Sequence, residues 1–171
     1  MIRKYVRLII AGILFLGSIL LFVQAIIGYG VLAVLVSGIF VLFHFKNEKN
    51  LIAFYFVRKN KFEASGKILG RVKNPENMIK SQEAYYYYLS GLVEAQKQKN
   101  AQAEKHFKKA LDTGLRLKTD QAVAKLNLSG IALSKRNKKL ATYYLQEAKK
   151  LDKSKMLTAQ IREIEGMMKR I

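Results

Sequence analysis

Residues 99–104 read Lys99-Asn100-Ala101-Gln102-Ala103-Glu104, and the same plan returns at Lys59-Asn60-Lys61-Phe62-Glu63-Ala64 and at Arg136-Asn137-Lys138-Lys139-Leu140-Ala141. Each reads as a basic turn that opens a new helix. Asn60, Asn100 and Asn137 can accept a hydrogen bond from a backbone N–H that the first helical turn leaves unpaired. Small Ala64, Ala103 and Ala141 follow at spacings of 39 and 38 residues and permit close helix approach. Four positions further on stand Ile68, Phe107 and Leu145, and Ala110 and Ala148 continue the same stripe at helical spacing. From Lys46 onward the chain is rich in Ala, Leu, Lys, Gln and Glu and holds a single proline, Pro75, so helices are expected there rather than strands. A period combined with a stripe predicts stacked helix pairs.

Working outward, Tyr87 and Gly91 precede Ala103, Phe107 and Ala110, while Leu128 and Ser129 precede Ala141, Leu145 and Ala148. This arrangement resembles the tetratricopeptide repeat, a helix pair with a small residue near its eighth position, alanine at the twentieth, an aromatic or leucine at the twenty-fourth and alanine at the twenty-seventh. The middle and third repeats fit in register. The first is looser: Tyr55, Ala64 and Ile68 fit, and Arg71 stands where a small residue belongs. Ser90 and Glu94 occupy positions that are usually apolar, and the extra length falls in loops near Asn74 to Lys80 and Gly114 to Thr119. The resemblance covers residues 46–153. A final helix from about Ser154 to Lys169, with Met156, Leu157, Ile161, Ile164 and Met168 as its apolar stripe, then caps the last repeat, since a solenoid must hide its terminal face.

The resemblance implies a peptide-binding groove on the first helix of each pair, here Lys49, Ala53, Phe56, Tyr85, Tyr88, Leu92, Val123, Leu126 and Leu133. The alternative occupant of that groove is the chain's own C-terminal helix. Cochaperone members of the family clamp a terminal carboxylate with lysine and asparagine; Tyr88 and Leu92 stand there instead, so that clamp is not expected.

The N-terminal third is of another kind. No Asp, Glu, Lys or Arg occurs from Leu8 to Phe45, which is 38 residues. As one helix that run would be about 57 Å long, nearly twice a hydrocarbon core of about 30 Å. A break at Gly28-Tyr29-Gly30 turns it into two spans, Leu8 to Ile27 and Tyr29 to Phe45. Arg3, Lys4 and Arg7 precede the run, Lys46 and Lys49 follow it, and no charge lies in the loop, so both termini are expected in the cytoplasm. A cleaved signal peptide ending near Val23-Gln24-Ala25 is the rival reading, with the second segment as a stop-transfer. Ser18, Gln24, Ser37 and His44 offer no ion relay, and an anchor is the expected role.

The expected fold is therefore all-α: a two-span membrane hairpin over 1–45, then a short tetratricopeptide-like α-solenoid with a capping helix over 46–171. The chain carries 31 Lys and Arg against 12 Asp and Glu, a net +19. All but three of the cations and all the acids follow Phe45, which leaves +16 on the second part. Such charge implies anionic lipid, nucleic acid, a ribosome or an acidic protein surface as a neighbour. With no cysteine, two histidines (His44 and His106) and no phosphate-loop or metal-protease motif, neither catalysis, a cofactor, a metal nor a small-molecule substrate is expected. Glu163 and Glu165 do not share a helix face, and the run Tyr85 to Tyr88 points several ways round a helix rather than forming a base-stacking platform. The function expected is a membrane-anchored adaptor or scaffold for a protein partner at the cytoplasmic face of a bacterial plasma membrane. Electrostatic docking and a structural place in a membrane complex are the alternatives.

Overall fold

The computed structural model describes the backbone of residues 2–24, 27–45 and 48–170, and the side chains of these except 2–5, 7, 8, 40 and 42–45. Nine α-helices are present among the described residues: α1 (Ile2–Val23), α2 (Ile27–Phe45), α3 (Glu48–Arg58), α4 (Phe62–Leu69), α5 (Lys80–Gln96), α6 (Asn100–Thr113), α7 (Lys118–Ser134), α8 (Lys138–Leu151) and α9 (Thr158–Lys169). A single turn of 3-10 helix, Pro75–Asn77, interrupts the loop before α5. The chain divides into two compact units, Met1–Glu48 and Lys49–Ile171.

In the first unit α1 and α2 pack as a hairpin. Their seam is built of small residues, with Ala11, Ser18, Gly30 and Ser37 buried. Ser37 Oγ donates to the Ala11 carbonyl across the seam at 2.8 Å, and Ser18 Oγ donates to the Phe15 carbonyl in its own helix at 2.6 Å. Small side chains let two helices approach closely, and a hydroxyl there satisfies itself on a backbone carbonyl. α1 ends at Val23 and α2 begins at Ile27, so the expected break at Gly28-Tyr29-Gly30 is not where the helices part. Those three residues begin α2, and Gly30 is needed for packing: a Cβ there would sit 3.0 Å from the Phe22 ring. The large apolar side chains point outward, Ile13, Leu16, Leu20 and Leu35 each being more than 60% exposed. Among the described residues no helix is long and apolar enough to cross a membrane. Arg3, Lys4 and Arg7 fall within α1, and Lys46 lies outside the described residues.

In the second unit the helices pair in sequence, α3 with α4, α5 with α6 and α7 with α8. The period is 38 residues throughout, and this shifts the expected first repeat by one residue. Ala53, Gly91 and Ser129 are equivalent, as are Ser65, Ala103 and Ala141, and Leu69, Phe107 and Leu145; all nine are buried. Ala64 and Ile68 are only half-buried, because one residue turns a helix by about 100° and brings Ser65 and Leu69 inward instead. Ser65 Oγ then donates to the Ala53 carbonyl at 3.0 Å, and Ser129 Oγ to the Ala141 carbonyl at 2.8 Å. These two bonds join the helices of the first and third pairs. In the second pair Gly91 does the same work by absence, since a Cβ would lie 2.7 Å from the Phe107 ring.

The turn within each pair has one geometry. Asn60, Gln98 and Arg136 all adopt the left-handed conformation, with φ of 56°, 58° and 57°. The next N–H reaches back to Phe56, Glu94 or Ala132 at 2.8, 3.0 and 2.9 Å, and the left-handed residue's own N–H bonds Val57, Ala95 or Leu133. This paired pattern satisfies the last carbonyls of each first helix. Asn60 therefore ends α3 rather than capping α4, and Asn100 is the first residue of α6. Asn137 caps as expected, its side chain accepting from the Leu140 N–H at 3.0 Å.

Candidate functional site

The first helices α5, α7 and α9 pack in succession, and a cleft of about 320 Å³ runs between them. Its apolar floor includes Leu126, Ile131 and Ile164, and its polar rim Asn100, Asn127, Gln160 and Glu163. Gly130 leaves it open, for a Cβ at that position would meet only the Ile164 Cδ1 at 3.8 Å. Asp152 helps to hold α9 at the cleft. That carboxylate, itself buried at the end of α8, accepts from the N–H groups of Met156 and Leu157 at 3.0 and 2.8 Å. Ile161, Ile164, Leu157 and Met168 of α9 then join Leu126, Leu133, Leu145 and Ala148 in a second core.

Near the starts of α5 and α7 lies an aromatic group that mixes with a carboxyl. The Tyr85 ring sits 5.8 Å from Phe54 and 5.7 Å from Tyr88, with the Arg58 guanidinium over the Phe54 ring at 5.7 Å. Burial, with Asp120 adding to it and Arg58 opposing, pushes the Tyr85 hydroxyl up to about 12. Burial raises Tyr88 further, again with Asp120 beside it. Burial also raises the Asp120 carboxyl, opposed by the Tyr88 hydroxyl that faces it, and its Oδ2 has no partner within hydrogen-bond geometry.

On the outer side, Tyr87 stacks on His106 at 6.0 Å and Lys109 Nζ lies 5.5 Å over the same tyrosine. Burial, opposed by Glu94 and reinforced by Lys105, lowers the His106 pKa. Among the described residues no cluster of His, Asp or Glu is arranged to hold a metal.

The residues expected to line a groove are divided by the fold. Tyr85, Leu92 and Val123 are half-buried on the inner side of α5 and α7, whereas Tyr88, Leu126 and Leu133 are almost wholly buried beneath neighbouring helices. Ala53 faces α4 and not a groove. Phe54 meets Tyr85 in its place, which follows from the same one-residue shift. Phe56 is half-buried, and Lys49 is engaged by its ammonium with the Arg71 carbonyl at 2.7 Å. Gly130, Asn127 and Gln160 escaped sequence reading; the 38-residue spacing from Leu92 to Gly130 is the signal that points to the first. Compared with known proteins, the chain matches no family model, and neither a curated protein nor a solved structure is similar to it.

Proposed function

We propose that this chain is a membrane-anchored helical-repeat adaptor, with the α1–α2 hairpin as its anchor and the α5–α7–α9 cleft as the seat of a peptide or helix from a protein partner. The cleft carries the proposal. An apolar floor with amide groups at the rim fits an amphipathic segment, and rigid helices on three sides keep the ordering cost low. The anchor is supported by the uncharged run from Leu8 to Phe45 and by the apolar faces that the hairpin turns outward. Its cytoplasmic orientation follows from the cations at both ends of the run. Similarity of the helix pairs to tetratricopeptide repeats is the analogy behind a binding role. Confinement to one membrane would raise the effective concentration of a partner held on the same surface.

The test is crosslinking in native membranes, gentle solubilisation and identification of bound proteins at low and high salt. A partner retained at high salt with the natural chain and with Gly130→Ala, and lost with Gly130→Leu, supports the cleft. The surplus of cations favours electrostatic docking to a ribosome or other polyanion as a second reading. Recovery of such an assembly alone, released as salt rises, would replace the adaptor reading.

A further inference from the structure

The two long edges of the repeat unit differ in chemistry. One edge carries the turns within the pairs, where no large apolar side chain is exposed and part of the positive charge is neutralised internally. Lys97 pairs with Glu94 at 3.2 Å, Lys99 with the same carboxylate at 3.9 Å, and Lys135 with Glu104.

The other edge carries the loops between pairs, 70–79, 114–117 and 152–157, and there exposed apolar side chains stand among the cations. Each loop exposes one large apolar side chain at or beside its last residue: Ile79 at 52%, Leu117 at 59% and Met156 at 72%. Ile79 and Leu117 are separated by the 38-residue period, and Met156 follows one residue beyond it. Each tip is bracketed by cations, Lys73 and Lys80 around Ile79, Arg116 and Lys118 around Leu117, Lys153 and Lys155 beside Met156. All six are exposed, and among the described residues none has an ion-pair partner. Glu76 is the one exposed acid on these loops, for Asp152 is turned inward as a cap. Apolar tips ringed by unpaired cations match the boundary of a bilayer, where the tips enter the acyl border and the cations meet phosphates.

α3 begins on this edge: Lys49 bonds the Arg71 carbonyl in the first of these loops, and Asn50 Nδ2 donates to the Gln82 carbonyl at the start of α5 at 2.9 Å.

We infer that the edge formed by the loops 70–79, 114–117 and 152–157 docks on an anionic phospholipid surface, inserting Ile79, Leu117 and Met156 between headgroups held by the flanking cations. This rests on the reading of the hairpin as a membrane anchor, and it fixes which edge of the repeat unit faces the lipid.

The natural chain has no cysteine, so a single environment-sensitive fluorophore can be placed on the full-length protein at Leu117→Cys, at Met156→Cys, or at Lys135→Cys on the opposite edge. Each is reconstituted into vesicles of phosphatidylcholine with phosphatidylglycerol and into vesicles of phosphatidylcholine alone. Flotation with the vesicles after a high-pH wash reads the anchor separately. Expected for 117 and 156 is a blue-shifted emission, quenching by spin-labelled lipid and loss of quenching by iodide, in the anionic vesicles only. Position 135 should stay open to iodide in both. Adding Arg116→Glu and Lys118→Glu, or raising the salt, should restore iodide quenching at 117 without lowering the helical content. Protein that floats yet leaves 117 and 156 as open to iodide as 135 overturns the docking edge and leaves the anchor standing. Protein that does not float overturns both.

Discussion

Gly91 and Arg136 are single residues at which the fold makes opposite demands. Helix propensity alone would favour alanine over Gly91 by about 1 kcal/mol. The new Cβ would press on the Phe107 ring at 2.7 Å, and that ring is fully buried. Overpacking of this kind costs about 1–3 kcal/mol, so Gly91→Ala should lower the denaturant midpoint, with Phe107→Leu in the same chain recovering part of the loss. Arg136 holds a left-handed conformation that costs an L-residue about 1–2 kcal/mol. Arg136→Gly should therefore raise the midpoint, by less than that amount because glycine is freer in the unfolded chain. Glu104 supplies the pH dependence. Hydrogen bonds from Lys108 and then Lys135 lower its pKa in the folded state. Its contribution is present above the unfolded value near 4.5 and is lost as pH falls through the lower folded value. Glu104→Gln should cost about 0.5 kcal/mol near neutrality, less in high salt, and nothing in acid below the folded value.

At the scale of elements, α9 is the helix whose place depends most on one contact. Asp152→Ala removes the acceptor for two N–H groups at the start of α9, a loss of about 1 kcal/mol for a cap of this kind. Hydrogen exchange should then speed up over 158–169 and over the facing part of α7, while α5 and α6 keep their protection. The helix pairs themselves were legible in the sequence, because Ala103, Phe107 and Ala110, and their counterparts in the third pair, are written at helical spacing. The first pair was harder to read, since an asparagine there serves to end a helix and looks, in sequence, like one that begins a helix. Aligning on Asn60 misplaced Ala64 and Ile68 by one residue, and the backbone sign at Asn60, Gln98 and Arg136 corrects it. The hairpin turn was misplaced for a related reason: Gly28 and Gly30 look like turn residues, but the glycine at 30 answers to the Phe22 ring. The cleft was not legible, because it depends on where α9 comes to rest, and Asp152 gave no sign of its role.

For the whole molecule, stability is spread along a line, each pair leaning on the next. Neighbour-only packing of this kind makes the ends the first parts to open. The short α4, of 8 residues, and α9 should therefore exchange amide hydrogens before α5 to α8. Polar joints such as Ser65 to Ala53 and Ser129 to Ala141 hold the pairs without large side chains, which leaves the outer faces to carry the +16 that follows Phe45. The invariant period has a further meaning. Every pair turns with the same backbone geometry at one period, so the sequence between Lys80 and Leu117 behaves as a cassette. A second copy spliced in after Leu117 would lengthen the body by one pair, leave both original ends intact and add a fourth basic tip to the row: a ruler that can be extended by one graduation without being redrawn.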